Sequence, residues 1–471
     1  MNDPIEFRKA AHELIDWIAD YHENIDRYPV KSQVKPDEIK SKLPESAPAD
    51  PVGFDNIMKD FEEIILPGIT HWQNPRFHAY FPGNSSYPSL LGEMLTSAIA
   101  AQCMIWETSP AAAELEERVL DWLKEAMGLP INWKGVIQDT ASTGTLAAIL
   151  TAREQVSNYS INKAGFEHSN YRIYCSTETH SSIEKAVKIA GFGSKSVIQI
   201  PVDQNLQLDT SLLKEAISAD LNNGLVPVCV VATLGTTGTC SIDPLKPISS
   251  ICKKHNIWLH VDAAFAGTAL LLEEHRGMIS GLTDADSFLF NPHKWMFTNF
   301  DCTAYYVKDS DALVKTFELL PEYLKTKTHG LVNDYRDWGV PLGRRFRALK
   351  LWFVIRSYGL EGIKAKLREH IRLAELFEDW VNNSPDFEKV IQRSLCHVCF
   401  RFNPKEVNEE RELENLNKKL LEDLNASGEM YLTHTKVNGK YCLRMVIAQT
   451  NVNEDHIKAD WALINQLKPQ V

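Results

Sequence analysis

Lys294 stands at the end of an apolar run, in ADSFLFNPHKWM (285–296), directly after a histidine. A lysine so placed is partly withdrawn from water, and burying an ammonium is costly. Either its charge is paired or its amine is held neutral and reactive. Upstream, HVDAAF (260–265) ends a buried strand with Asp262. Open α/β sheets bind ligands at the carboxyl ends of their parallel strands, so Asp262 and Lys294 belong to neighbouring ends of one sheet. QDTASTGTLAAILTARE (138–154) is a loop of small residues opening a helix. Its free N–H groups, with the hydroxyls of Ser142 and Thr143, make an anion cradle. His180, in TETHSSIEK, follows a strand and precedes a helix, and ATLGTTGTCS (232–241) adds hydroxyls at another strand end.

Each of these signals has an ordinary structural use. Asp262 could cap a helix, the Ser/Thr loop could be a cap and no more, and His180 could be a solvated loop residue. No Walker pattern is present, and GFGSKS (191–196) lacks the third glycine of a dinucleotide fingerprint. Cys396 and Cys399 form a C-x-x-C in what reads as a strand, with no second pair at ligand spacing, so no metal site is expected. Taken together, a lysine, an acid, a stackable histidine and an anion cradle are the minimum kit for pyridoxal phosphate. The amine joins the aldehyde, the acid keeps the pyridine nitrogen protonated as an electron sink, and the cradle holds the phosphate.

The elements that must position these groups follow from periodicity. YRIYCST, SVIQIPV, VPVCVVATLG, NIWLHVDAAF, SFLF and CTAYYV read as strands, with helical patterns between several of them. Near-continuous apolar strands separated by helices mean a mostly parallel sheet covered on both faces. Residues 6–25 read as an amphipathic helix, and a Pro-rich arm (34–54) and another helical pattern (54–65) follow. Residues 344–381 carry two long helices. In the last stretch, Asn438-Gly439 marks a hairpin in a small α+β region. The expected division is 1–78 as a helical arm, 79–382 as a large α/β domain binding the cofactor, and 383–471 as a small C-terminal α+β domain. The THSSIEK segment, with Ser181 and Glu184 in capping-box spacing, opens a helix.

The whole chain has 471 residues, 44% apolar and 24% charged, with a net charge of -12. That balance disfavours nucleic acid and anionic membranes as partners, and no apolar run is long enough for a membrane span. Nine scattered cysteines suit reduced thiols in a cytoplasmic protein.

Long, ordered blocks carry a resemblance: THWQNPRFHAYFP (70–82), SPAAAELE (109–116), VVATLGTTGTCSID (230–243), IWLHVDAAFAG (257–267), NPHKWM (291–296), DYRDW (334–338) and PLGRRFRALKLW (341–352). The sequence resembles the group II pyridoxal-phosphate decarboxylases over nearly its whole length, in particular the aromatic L-amino-acid decarboxylase branch. The resemblance implies the type I, aspartate-aminotransferase-like fold and a homodimer with active sites at the interface, the N-terminal arm being a swapped flap. It makes Lys294 the Schiff-base lysine and sets Asp262 against the pyridine nitrogen. His180 stacks on one ring face and Ala264 lies on the other. Ala141, Ser142, Asn291 and His293 surround the phosphate, and Thr237 lies near cofactor and substrate. Tyr335, on the polar stretch 324–338, is expected on a mobile lid as the proton donor.

Trp72, Tyr80, Phe81 and Pro82 match an aromatic side-chain pocket. Gly83, Gln102 and Met104 stand where mammalian members carry Thr, Ile and Phe, which leaves the ranking of Trp, 5-hydroxy-Trp, Tyr, Phe and DOPA open. The implied reaction is decarboxylation of these amino acids to arylalkylamines. The alternatives are an aromatic aldehyde synthase, which carries Phe for the loop tyrosine or Asn for the histidine, or another amino-acid decarboxylase on the same fold.

Overall fold

Strands form where the chain is apolar for four to eight residues between helical patterns, and the computed structural model, which describes residues 3–168, 170–319 and 331–470, places them in one sheet. They are β1 (Lys134–Gln138), β2 (Tyr171–Ser176), β3 (Val197–Ile200), β4 (Val226–Thr233), β5 (Trp258–Asp262), β6 (Ser287–Phe290) and β7 (Thr303–Val307). Their order is β1-β7-β6-β5-β4-β2-β3. The pairs from β3 through β6 are parallel, and β7 runs antiparallel to both neighbours. β5 and β6 are buried along their whole length, as expected for strands covered on both faces.

The helix Ala141–Val156 lies across this sheet. Its small residues permit the approach: a Cβ added at Gly144 would stand 3.0 Å from Leu289 Cδ2. Ala147, Ile149 and Ala152 of the helix join Val136, Ile173, Val231 and Tyr305 in one core cluster. These elements belong to a compact unit made of residues 83–372 and 391–397.

The second unit joins residues 3–82 with 373–390 and 398–470. The arm expected as a region of its own (1–78) is thus part of one unit with the C-terminal region. Within it the Val30 N–H donates to Gly428 O at 2.7 Å, and Phe77 bridges to Tyr431. Its four strands, β8 (Phe387–Lys389), β9 (His397–Phe402), β10 (Thr433–Val437) and β11 (Lys440–Val446), are ordered β10-β11-β9-β8. Asn438 (φ 50°) and Gly439 (φ 82°) make the expected tight hairpin turn. The helix Pro4–Glu23 buries Ala10 alone and leaves Ile5 and Phe7 exposed. The long helical pattern at 347–383 is broken at Gly359, whose φ of 64° takes it out of helical geometry.

Candidate active site

The carboxyl ends of β4, β5 and β6 hold Thr233, Asp262 and the run into Lys294. Thr233 pairs in register with Asp262 and Asp262 with Leu289, so the last residue of β5 is held from both sides. One Asp262 carboxylate oxygen accepts the Ala264 N–H at 3.0 Å. β6 runs into Asn291 and then the single turn Pro292–Trp295, which delivers Lys294. That turn is pinned from outside: the Asn84 amide donates to Lys294 O at 2.5 Å, and the Asn84 N–H donates to His293 O at 3.0 Å. Nothing in the sequence singled Asn84 out, because its contact partner lies more than two hundred residues away.

Burial lowers the Lys294 pKa from the usual lysine value, and Asp262 pulls it back up. A buried amine with a depressed pKa is an effective nucleophile. His180 follows β2 and takes part in the same field: burial lowers its pKa, Lys294 lowers it further, and Asp262 opposes both. The capping box expected at Ser181 is absent, since Ser181 makes no side-chain cap bond. His180 takes that place instead, its Nδ1 accepting the Ser182 N–H at 3.2 Å and lying 2.8 Å from the Ser182 hydroxyl. An acceptor Nδ1 leaves the single proton of the neutral ring on Nε2.

The loop read as an anion cradle opens a helix. Thr140 caps the helix Ala141–Val156 through the Thr143 N–H, and Ser142 is exposed in its first turn. Beside it, Asn291 Oδ1 accepts from the Thr303 hydroxyl at 2.8 Å. His293 Nδ1 accepts the Cys302 N–H at 3.0 Å, and burial pushes the His293 pKa down to about 3. Ala264 is half-buried just past β5, and Thr237 is half-buried in the turn after β4. The Thr233 hydroxyl, beside Asp262, is buried without a hydrogen-bond partner among the described residues. An amine whose pKa is lowered by burial, an acid beside it, a histidine whose pKa is lowered and a helix start are the donor set that pyridoxal phosphate requires, and the residues present fit it.

Tyr335 is placed differently from the expected lid. Residues 324–330 of that stretch lie outside the described residues, and 334–338 are buried. The Tyr335 ring packs on Trp338 at 5.4 Å and under the Arg344 guanidinium at 4.8 Å. Its hydroxyl has no partner among the described residues. Burial, and then Glu116 and Glu117, push its pKa well above the usual value. It is a core residue of the sheet unit, and it is not among the groups that shift Lys294 or His180.

The residues read as an aromatic pocket divide between the two units. Trp72, Tyr80, Phe81 and Pro82 belong to the second unit, where Trp72 stacks on Tyr80 at 5.8 Å and the Tyr80 hydroxyl lies 3.2 Å from that of Tyr431. Gly83, Gln102 and Met104 belong to the sheet unit. A Cβ on Gly83 would meet nothing within 4 Å. Gln102 Oε1 accepts the Arg344 N–H at 2.7 Å, and Met104 O accepts the Arg336 N–H at 2.8 Å.

A sheet-end lysine, its acid neighbour and a helix-start cradle on this mixed sheet define a pyridoxal-phosphate enzyme of the type I fold. Residues 36–403 match the family described as the pyridoxal-dependent decarboxylase conserved domain, and the chain belongs to that family. It is 40% identical to a tyrosine decarboxylase of Papaver somniferum, over 98% of this chain and 94% of that one. It is 43% identical to a phenylacetaldehyde synthase of Arabidopsis thaliana, over 98% and 96%. The crystal structure of Catharanthus roseus tryptophan decarboxylase in complex with L-tryptophan superposes with a TM-score of 0.93 at 38% identity, covering 99% of this chain and 98% of that one.

Proposed function

We propose that the protein decarboxylates aromatic L-amino acids to arylalkylamines and CO2. The observation that carries this is the buried Lys294 amine beside Asp262 and His180, in a chain whose relatives include tyrosine and tryptophan decarboxylases. Lys294 would hold the cofactor's aldehyde carbon and Asp262 its ring nitrogen. His180 and Ala264 would flank the ring, and Ala141, Ser142, Asn291 and His293 would surround the phosphate, with Thr237 close by. When bound, the cofactor accepts the electron pair left by the departing carboxylate. Asp262 favours that acceptance by keeping a negative charge at the ring nitrogen. His180 presents a neutral Nε2–H that can hold a substrate oxygen or pass on a proton. Trp72, Tyr80, Phe81, Pro82, Gly83, Gln102 and Met104 are assigned to the side-chain pocket, where aromatic rings favour an aromatic substrate. Tyr335 is given no step here because no contact among the described residues joins its phenol to Lys294, Asp262 or His180.

The working form is a homodimer, supported by the apolar stripe left open on Tyr87–Ile99 and on Pro4–Glu23. Among the described residues no helix is long and apolar enough to cross a membrane, and all nine cysteines are buried free thiols, which suits the reducing cytoplasm.

The second reading, an aldehyde synthase, is favoured by the 43% identity to the Arabidopsis enzyme and disfavoured by the histidine kept at 180. The deciding experiment supplies the purified protein and pyridoxal phosphate with Trp, 5-hydroxy-Trp, Tyr, Phe, DOPA or Glu, and measures CO2, amine, aldehyde and hydrogen peroxide. Amine and CO2 in equal amounts from the aromatic substrates support the proposal. Aldehyde with peroxide establishes the second reading, and turnover of Glu alone overturns both.

A further inference from the structure

His260 is a polar residue where the sheet wants an apolar one. It sits in the middle of β5 and is 0% exposed. Burial pushes its pKa down to about 3, so the ring is neutral. A buried imidazole is tolerated when both nitrogens are satisfied, and here they are. Nδ1 lies 2.9 Å from the Ser287 hydroxyl, and Nε2 lies 3.2 Å from the Thr145 hydroxyl. Ser287 also accepts the Trp258 indole N–H at 3.1 Å.

These partners come from three elements, and each element delivers one part of the site. His260 and Asp262 are two residues apart on β5 and so face the same side of the sheet. Ser287 pairs in register with His260 and opens β6, which runs on to Asn291, His293 and Lys294. Thr145 lies one turn into the helix whose start is the anion cradle, four residues after Ala141. The hydrogen bonds of His260 therefore set the distance from the cradle to the Asp262 and Lys294 ends. Apolar packing alone, including the Gly144–Leu289 approach, presses helix on sheet without fixing its position along the strands.

We propose that His260 is a positioning residue that holds the phosphate cradle in register with Asp262 and Lys294. The proposal rests on the pyridoxal-phosphate reading of the site. Losing a hydrogen bond here would let the helix start shift, and shifts of about 1 Å in a positioned site cost up to about a hundredfold. The loss falls on the phosphate end of the ligand and spares the ring end.

The test compares two probes on the apoprotein, pyridoxal phosphate and pyridoxal, which lacks the phosphate. Affinities are read from quenching of tryptophan fluorescence, so turnover is not needed. Thr145→Val keeps the side-chain shape and removes only the hydroxyl. It should lower pyridoxal phosphate affinity about tenfold, the scale of one hydrogen bond, with pyridoxal affinity unchanged. His260→Gln, which offers one donor and one acceptor, should fall between wild type and His260→Leu. A general structural role would weaken both probes alike and lower the melting temperature in proportion. Equal losses on the two probes, or none in folded Thr145→Val, would overturn the proposal. Should the His260 variants fail to fold, Thr145→Val decides alone. Wild-type protein that binds neither probe would instead count against the cofactor reading.

Discussion

The Cys302 backbone N–H donates to His293 Nδ1 at 3.0 Å, and this contact fixes what the histidine next to Lys294 can do. With Nδ1 accepting, the neutral ring carries its proton on Nε2. Burial holds the ring neutral down to a pKa of about 3. His293 is therefore a hydrogen-bond donor of constant charge, unable to titrate in the working range. His293→Gln, which keeps a donor, should retain cofactor binding within about tenfold, and His293→Leu should lose more. The acid limb of the pH profile of kcat/KM should be the same in His293→Gln as in wild type. A limb that moves or disappears would mean that this ring gains and loses a proton during turnover.

Lys294→Ala should fold, because the turn carrying it is held through the backbone by Asn84 and Asn291. It should lose the visible absorption of lysine-bound pyridoxal and nearly all turnover, because the amine that joins the aldehyde is gone. Melting temperature should hold or rise, since a buried amine with a depressed pKa is a cost to the folded state. Steady turnover near the wild-type rate would remove Lys294 from its assigned role.

Some of this architecture was open to reading and some was not, for identifiable reasons. β4, β5 and β6 are mostly apolar and buried along nearly their whole length, and they announce themselves, as does the Asn438-Gly439 hairpin. β1 reads KGVIQ, and its strand character comes from pairing with β7 and from Gly135, where a Cβ would press to 2.9 Å on the Tyr306 ring. The union of residues 3–82 with the C-terminal region rests on contacts spanning hundreds of residues, such as His78 Nε2 to Asp460 at 2.8 Å. DYRDW looked like an exposed loop because it is charged. Its charges are spent inside: Asp334 accepts the Trp106 N–H at 3.0 Å, and Arg336 pairs with Asp337 at 3.1 Å. A hydropathy pattern does not show pairing, so buried polar segments of this kind read as surface.

Stability should rise with pH between about 4 and 6. Burial holds His260 and His293 at about 3, below their usual 6.5, and holds Asp243 at about 6, above its usual 3.8. As the pH falls below 6.5, the unfolded chain protonates both histidines and the folded chain does not, so each costs stability on acidification. Asp243 acts oppositely, keeping a proton in the folded state that the unfolded chain has released. Two protons against one leave a net slope of one, about 1.4 kcal/mol per pH unit from these three groups. Urea unfolding of wild type and His260→Gln at pH 4, 5 and 6 checks this through the difference in slope, which should itself be about one proton. Parallel slopes would show that His260 titrates alike in both states.

A charge on the open stripe of Tyr87–Ile99 should leave the protein monomeric. Tyr87, Leu91, Leu95 and Ile99 recur every fourth residue and are all exposed, which is more apolar surface on one face than a lone subunit ordinarily shows water. The double variant Leu91→Glu, Leu95→Glu removes the complementarity without touching the core. Light scattering should report half the wild-type mass with the helical circular dichroism intact. A wild-type protein that is itself monomeric, or a double variant that stays dimeric, would assign the stripe to something other than self-association.

Tyr335→Phe should leave amine as the product. The phenol is 2% exposed, its ring held between Trp338 and Arg344. Its pKa is pushed well above the usual value, first by burial and then by Glu116 and Glu117, and a phenol that keeps its proton more tightly is a poorer acid catalyst. The hydroxyl has no hydrogen-bond partner among the described residues, so its removal unpairs nothing, and stability should change by less than about 1 kcal/mol. The assay is the one that separates the two functional readings: amine, aldehyde and hydrogen peroxide from an aromatic substrate, with and without oxygen. Tyr323, which lies outside the described residues, is the other phenol of this stretch of chain and the natural comparison variant. Should Tyr335→Phe instead give aldehyde and peroxide in equal amounts, and only in air, then its phenol must reach the substrate carbon during turnover. The buried position would in that case be a resting place that the residue leaves to work.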